Sequence, residues 1–240
     1  MSDSRVVLFL DFDGTITVRD ATDAILEAFA DPEWLRVEAE WVAGNIGSRE
    51  CLTTQMALVD ASREQIDGVL DAIAVDPGFV SLLDVCGRHR VPVHVLSDGF
   101  DYCIDRILAR GAMGLAERLR RATIVSSRLR SDGSRWRASF PHPLEGCAHG
   151  CATCKPAAMA SLAASDALTI FVGDGLSDRY AAASAGVVFA KDRLAAYCEE
   201  TSIAYAPYAT LDEVAQSVEH MIVSGVALPL SLSMKAFPAV

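Results

Sequence analysis

Five short runs that are apolar nearly throughout constrain the fold of this chain more than any other feature. They lie at residues 6–10, 91–96, 123–126, 169–172 and 187–190. Runs of four to six residues with this character suit strands buried on both faces, as in a parallel sheet. Apolar residues at helical spacing separate them: Phe79, Val80, Leu82, Leu83 and Cys86; Ile104, Ile107 and Leu108; Met159, Leu162 and Ala163. Alternating strands and helices predict an α/β, doubly wound (Rossmann-like) parallel sheet, whose ligands collect beyond the carboxyl ends of the strands.

One stretch breaks the alternation. From about Val18 to Val75 only helical patterns occur. Asp31-Pro32-Glu33 reads as a helix start, and Ser62 with Gln65 as a capping box ahead of Ile66, Val69, Leu70 and Ile73. Asp76-Pro77-Gly78 then closes the segment with a turn. The expected organisation is a core formed by residues 1–17 and 76–225, a helical cap over 18–75 and a C-terminal tail over 226–240. Ser131-Asp132-Gly133-Ser134 signals a hairpin. Seven arginines surround that turn between Arg118 and Arg137, as a solvated face or a basic patch.

The chain has 21 basic and 32 acidic residues, a net charge of −11. Such a surface repels phosphate backbones and anionic lipid, so neither nucleic acid nor membrane is expected as a partner. No run has the length of a signal-peptide core or a membrane span. Seven cysteines without a secretory signal predict thiols in a soluble cytoplasmic protein. Monomer and homodimer both remain open.

The chemistry-bearing motifs follow the strands. Asp11-Phe12-Asp13-Gly14-Thr15 places two carboxylates two residues apart on extended chain, pointing toward one ion or reacting group. Like charges so close are costly unless a cation holds them. Ser97-Asp98-Gly99 brings a hydroxyl and flexible amides suited to phosphate oxygens. Lys155, one of only three lysines, opens a helix, and Gly173-Asp174-Gly175-Leu176-Ser177-Asp178 supplies two further acids. A doubly wound sheet would deliver all four to one edge.

In these motifs, their order and their spacing, the chain resembles the haloacid-dehalogenase superfamily of aspartate-nucleophile phosphatases. The resemblance runs from about Val6 to Cys198, and is to the phosphoserine-phosphatase-like branch with a helical cap. Phe29-Ala30-Asp31-Pro32-Glu33-Trp34, Cys154-Lys155-Pro156 and Phe189-Ala190-Lys191-Asp192 are most similar to the methionine-salvage phosphatases of that branch. These hydrolyse 2-hydroxy-3-keto-5-methylthiopentenyl-1-phosphate. The resemblance implies Asp11 as nucleophile, forming an aspartyl phosphate, and Asp13 as general acid and then base. It implies Mg²⁺ at Asp11, the Asp13 carbonyl, Asp174 and Asp178, and phosphate binding by Ser97, Asp98, Gly99 and Lys155.

The branch commonly has Ser-Gly-Gly where this chain has Ser97-Asp98-Gly99. Asp98 either orients a hydroxyl or ammonium of the substrate or turns away as a helix N-cap. Asp20, Asp23, Trp34, Trp41 and Arg49 are the cap candidates for leaving-group contact, the two tryptophans equally readable as packing. Cys147, Cys151 and Cys154 form either a structural zinc site, closed by His142 or His149, or free thiols in a tight loop.

The expected activity is therefore hydrolysis of a small phosphorylated metabolite. Phosphoserine, phosphocholine and phosphoethanolamine are the alternative substrates. A phospho-acceptor signalling module or a non-catalytic binding module are the alternatives of another class. The second aspartate and the helical insertion speak against the signalling module.

Overall fold

The computed structural model describes residues 6–111, 114–142 and 145–225. The expected tail over 226–240 lies outside them. Along the chain run β1 (Val6–Leu10), α1 (Ala21–Phe29), α2 (Trp34–Val42), α3 (Ser48–Ala57), α4 (Arg63–Asp71) and α5 (Gly78–His89). There follow β2 (Val93–Phe100), α6 (Asp101–Arg110), α7 (Leu115–Leu119), β3 (Thr123–Asp132), β4 (Arg135–Ser139) and α8 (Lys155–Leu162). The chain continues through β5 (Leu168–Gly173), α9 (Arg179–Ala182), β6 (Val187–Ala190), α10 (Asp192–Thr201), β7 (Ala206–Pro207) and α11 (Leu211–Ser224).

The strands form one sheet in the order β4-β3-β2-β1-β5-β6-β7. All neighbours are parallel except β3 and β4, joined by the expected hairpin. Alternate residues of the central strands serve two cores. Leu8, Leu10, Val95, Ile170 and Val172 face α5, α6 and α11, whereas Val7, Phe9, Phe171 and Val188 face α8, α9 and α10. Burying a side chain such as Leu8 or Phe9 contributes about 1.5–3 kcal/mol. That explains the unbroken apolar run of β1. Strand order reverses at β1, which pairs with β2 on one side and β5 on the other. A crevice at its carboxyl end follows from this topology.

Three strands differ from expectation, β3 by running on past the apolar run 123–126 to Asp132. β2 starts at Val93, because left-handed Arg90 and the imide of Pro92 precede it, and it runs on to Phe100 through a register shift after Leu96. β7 has only two residues, too few to show any period. In the arginine-rich stretch, Arg118 pairs with Asp84 and Arg130 with Asp101.

The helical cap, α1 to α4, is inserted between β1 and α5, and Thr17 and Val75 bridge where the chain leaves and returns. Both bonds of the Ser62–Gln65 capping box are present. Asp31 instead caps a turn ahead of α2, which starts at Trp34. The hairpin holds the cap: Trp136 Nε1 donates to the Ala61 carbonyl at 2.8 Å, and Ala61 N to the Ser134 carbonyl at 3.1 Å. No helix among the described residues is long and apolar enough to cross a membrane.

Candidate active site

β1 carries Asp11 to the carboxyl edge of the sheet, where its amide donates to the Val172 carbonyl at 2.9 Å. The chain then turns at Gly14, whose φ is +75°. A Cβ there would lie 2.3 Å from Asp174 Oδ2, so glycine is required both for the turn and for the approach. The turn directs Asp13 across to the start of α1, where its Oδ1 accepts the Ala21 amide at 2.9 Å. Its Oδ2 faces Ser97 Oγ at 3.4 Å, and Ser97 Oγ accepts the Gly99 amide at 2.9 Å. Gly99 is constrained in the same way: a Cβ would stand 2.2 Å from Asp13 Oδ2.

Lys155, the first residue of α8, points into the edge and is 1% exposed. Its Nζ lies 2.6 Å from Asp11 Oδ1 and 2.5 Å from Asp178 Oδ1. Asp178 is fully buried, and its Oδ2 accepts the amides of Asp174 and Gly175, both at 3.1 Å. Thr15, which sequence reasoning did not single out, donates to Asp174 Oδ1 at 2.7 Å and so orients that carboxylate. The sheet thus brings Asp11, Asp13, Ser97, Gly99, Lys155, Asp174 and Asp178 together.

Four buried or half-buried carboxylates here face one lysine. Burial, then the Asp178 charge, push Asp11 well above the usual carboxylate range, against the pull of Lys155. Burial raises Asp13 to about 6, and burial with Asp178 raises Asp174 to about 7. Burial disfavours the charge on Lys155, but Asp11 and Asp178 more than offset this and hold its pKa above the ordinary value. The site is short of positive charge. Asp11, Asp174 and Asp178 each offer a carboxylate oxygen within 4.8 Å of the others. An all-oxygen, anionic donor set of this kind fits a hard divalent cation.

Above the edge lies a cavity of about 200 Å³. Its cap wall includes Asp20, Asp23, Glu38, Trp41, Cys51 and Leu52, and its core wall includes Asp13, Ser97, Asp98, Asp174 and Arg193. Burial and then Asp13 raise Asp20 to about 7; burial and then Asp20 do the same for Asp23. Glu38 is tied down by Gln55 Nε2 at 3.1 Å and by Arg193 at 3.7 Å, and Arg193 lies over the Trp41 ring. Glu38 and Arg193 carried no motif. Glu38 could have been found from its place between Trp34 and Trp41 on one helical face.

Two cap candidates lie outside the cavity. Trp34 packs against the hydrophobic core and does not line the cavity. Arg49 is also outside the lining; its backbone amide donates to the Gly150 carbonyl at 3.1 Å. Asp98 is not a helix N-cap, because α6 starts at Asp101 behind Phe100. Its Oδ1 accepts the Thr153 amide at 3.0 Å.

The zinc reading needs correction. Among the described residues, the carboxylate trio is the only group of three or more potential ligands gathered so closely. Cys147 and Cys151 are free thiols that interact electrostatically with each other. Cys154 instead lines a surface hollow with His142, and His149 stacks on Tyr180 with ring centroids 4.0 Å apart. The four ligands of the expected site are therefore not assembled.

The family described as haloacid dehalogenase-like hydrolase matches residues 8–183. A relative from Geobacillus kaustophilus, named 2-hydroxy-3-keto-5-methylthiopentenyl-1-phosphate phosphatase, is 32% identical over 220 residues, covering 90% of this chain and 97% of its own. A relative of the same name from Lysinibacillus sphaericus is 26% identical, over 94% and 99% of the two chains. Among solved structures, one described as a phospho-aspartyl intermediate analogue of phosphoserine phosphatase superposes with a TM-score of 0.67 at 18% identity. It covers 89% of this chain and 99% of that one. A substrate-bound phosphoserine phosphatase gives 0.60 at 20% identity, over 79% and 88%. At these identities the structures share the fold.

Proposed function

The chain is a phosphatase of the haloacid dehalogenase-like hydrolase family, and we propose that it cleaves a small phosphomonoester through an aspartyl phosphate on Asp11. The observation that carries this reading is the pairing of Asp11 with Lys155 beside a second carboxylate, Asp13, held by other partners. An oxygen of Asp11 attacks phosphorus as the bond to the leaving oxygen breaks, and Asp13 donates its proton to that oxygen. The raised pKa of Asp13, to about 6, suits a group that must be protonated for the first step and accept a proton in the second. Asp13 then takes a proton from the water that attacks the aspartyl phosphate, releasing phosphate and restoring Asp11. Lys155 and Ser97 bind the phosphoryl oxygens, where most of the electrostatic stabilisation is needed. Asp11, Asp174 and Asp178, with the Asp13 carbonyl, would hold Mg²⁺, which supplies positive charge that lets two anions approach. Asp178 in addition anchors Lys155 and the turn after β5.

For the substrate we propose the compound in the relatives' names, 2-hydroxy-3-keto-5-methylthiopentenyl-1-phosphate. Trp41, Cys51 and Leu52 offer a soft apolar wall to a methylthio chain. Phosphoserine fits less well. Its carboxylate would face Asp20, Asp23 and Glu38, and Arg193, the only basic side chain in the lining among the described residues, already pairs with Glu38. The test is kcat/KM for these two compounds, phosphocholine and phosphoethanolamine, with and without Mg²⁺. The methylthio compound should lead, and phosphate release should need the metal. Phosphoserine ahead by a hundredfold would overturn the substrate reading.

A further inference from the structure

The role of Asp98 is set by what it touches. Ser97 and Gly99 on either side face Asp13, yet the Asp98 carboxylate reaches the loop that leads into α8. Ser48, the first residue of cap helix α3, interacts electrostatically with the same carboxylate. Ser48 Oγ in turn accepts the Ala152 amide at 2.9 Å. Two consecutive amides, Ala152 and Thr153, are thus taken by one oxygen from the cap and one from the sheet. Beside them Arg49 N donates to the Gly150 carbonyl at 3.1 Å, and a Cβ on Gly47 would meet that carbonyl oxygen at 2.6 Å. The Asp98 carbonyl is itself fixed by Ser127 Oγ at 2.9 Å. The Lys155 amide, two residues beyond Thr153, donates to the Thr153 carbonyl at 2.9 Å.

We infer that Asp98 is a positioning residue that ties the placement of Lys155 to the seating of the cap at Ser48. The inference rests on reading Lys155 as the cation that meets the phosphoryl group. Asp98 sets the height of the loop, and the loop sets where α8 starts and so where Nζ stands. Withdrawal of Ser48 removes the acceptor for Ala152 and one partner of Asp98, so a displaced cap loosens the lysine. A misplacement of about 1 Å at such a group lowers turnover by as much as a hundredfold.

The experiment compares Asp98→Ala, Asp98→Asn, Ser48→Ala and the Asp98→Ala/Ser48→Ala double variant, with Mg²⁺ present. Asp98→Ala should lower kcat at least tenfold while KM moves less than threefold. Asp98→Asn keeps an acceptor for Thr153 and should recover kcat to within threefold of wild type. Ser48→Ala should cost less than Asp98→Ala, and the double variant no more than twofold beyond Asp98→Ala, as expected of one shared junction. Asn and Ala equally impaired would mean that the charge acts on Lys155 or the metal directly, which overturns the inference. A fully additive double variant, or an Asp98→Ala kcat within twofold of wild type, does the same. Amide exchange gives a readout independent of catalysis: Ala152 and Thr153 should exchange faster in folded Asp98→Ala than in wild type. Unchanged exchange there overturns the positioning role. A wild type that releases no phosphate from any of the four compounds overturns the activity reading instead.

Discussion

The two walls of the cavity are built differently. On the sheet side, Asp11, Lys155 and Asp178 are 4%, 1% and 0% exposed, and the lysine joins both carboxylates. On the cap side, Asp20 and Asp23 carry no basic partner of their own among the described residues; desolvation, then Asp13 for the one and Asp20 for the other, raise both to about 7. A close-packed sheet edge fixes groups to a fraction of an ångström, as bond-making to phosphorus requires. Short helices carrying half-exposed acids and a tryptophan form a surface that can change its contacts with little consequence for the core. Reaction chemistry belongs to the first wall and choice of leaving group to the second.

Substitutions should separate the two walls. The largest effect is expected from Lys155→Met. It removes the phosphoryl-binding cation and leaves Asp11 and Asp178 buried without their counter-charge. Turnover should fall by about a thousandfold or more, and stability by about 3–5 kcal/mol, read by steady-state kinetics and urea unfolding. Gly99→Ala comes next, because its methyl group would strike the Asp13 carboxylate. A kcat loss of at least about tenfold with KM nearly unchanged is expected; a normal kcat would show that Asp13 need not stand where it does.

Trp41→Ala tests the other wall. It should raise KM for the methylthio substrate about tenfold, equivalent to about 1.4 kcal/mol, with kcat within threefold. A fall in kcat with KM intact would merge the two walls. The smallest catalytic effect is expected from Trp34→Ala. Trp34 packs on the core and lies outside the lining, so kcat/KM should stay within about twofold while stability falls by about 1–3 kcal/mol.

The same division decides what could be read from the sequence. The apolar run of β1 and the Asp-x-Asp-Gly turn after it are local patterns, as is the Ser62–Gln65 capping box, and a local pattern carries its own geometry. Parallel strands at one edge then bring Lys155 and Asp178 to Asp11 by topology alone. Of the cap wall, only Glu38 has a local clue, its place between the two tryptophans on one helical face. Glu38, Gln55 and Arg193 meet only through packing between α2, α3 and α10, which no spacing encodes. Trp34 and Trp41 share a helical face but stand about 10 Å apart along it, so one reaches the core and the other the cavity. The cysteine spacing suggested a common metal, but among the described residues these thiols and histidines are not gathered closely enough to share an ion.

The central claim is that Asp11 carries the phosphoryl group. It is tested most directly by mass spectrometry of enzyme quenched in acid during turnover, using wild type, Asp13→Asn and Asp11→Asn. Asp13→Asn should slow breakdown of the intermediate and show a phosphoryl adduct on the peptide containing Asp11. Folded Asp11→Asn should show neither adduct nor turnover. An adduct on another residue, or full steady-state phosphate release by Asp11→Asn, would contradict the claim.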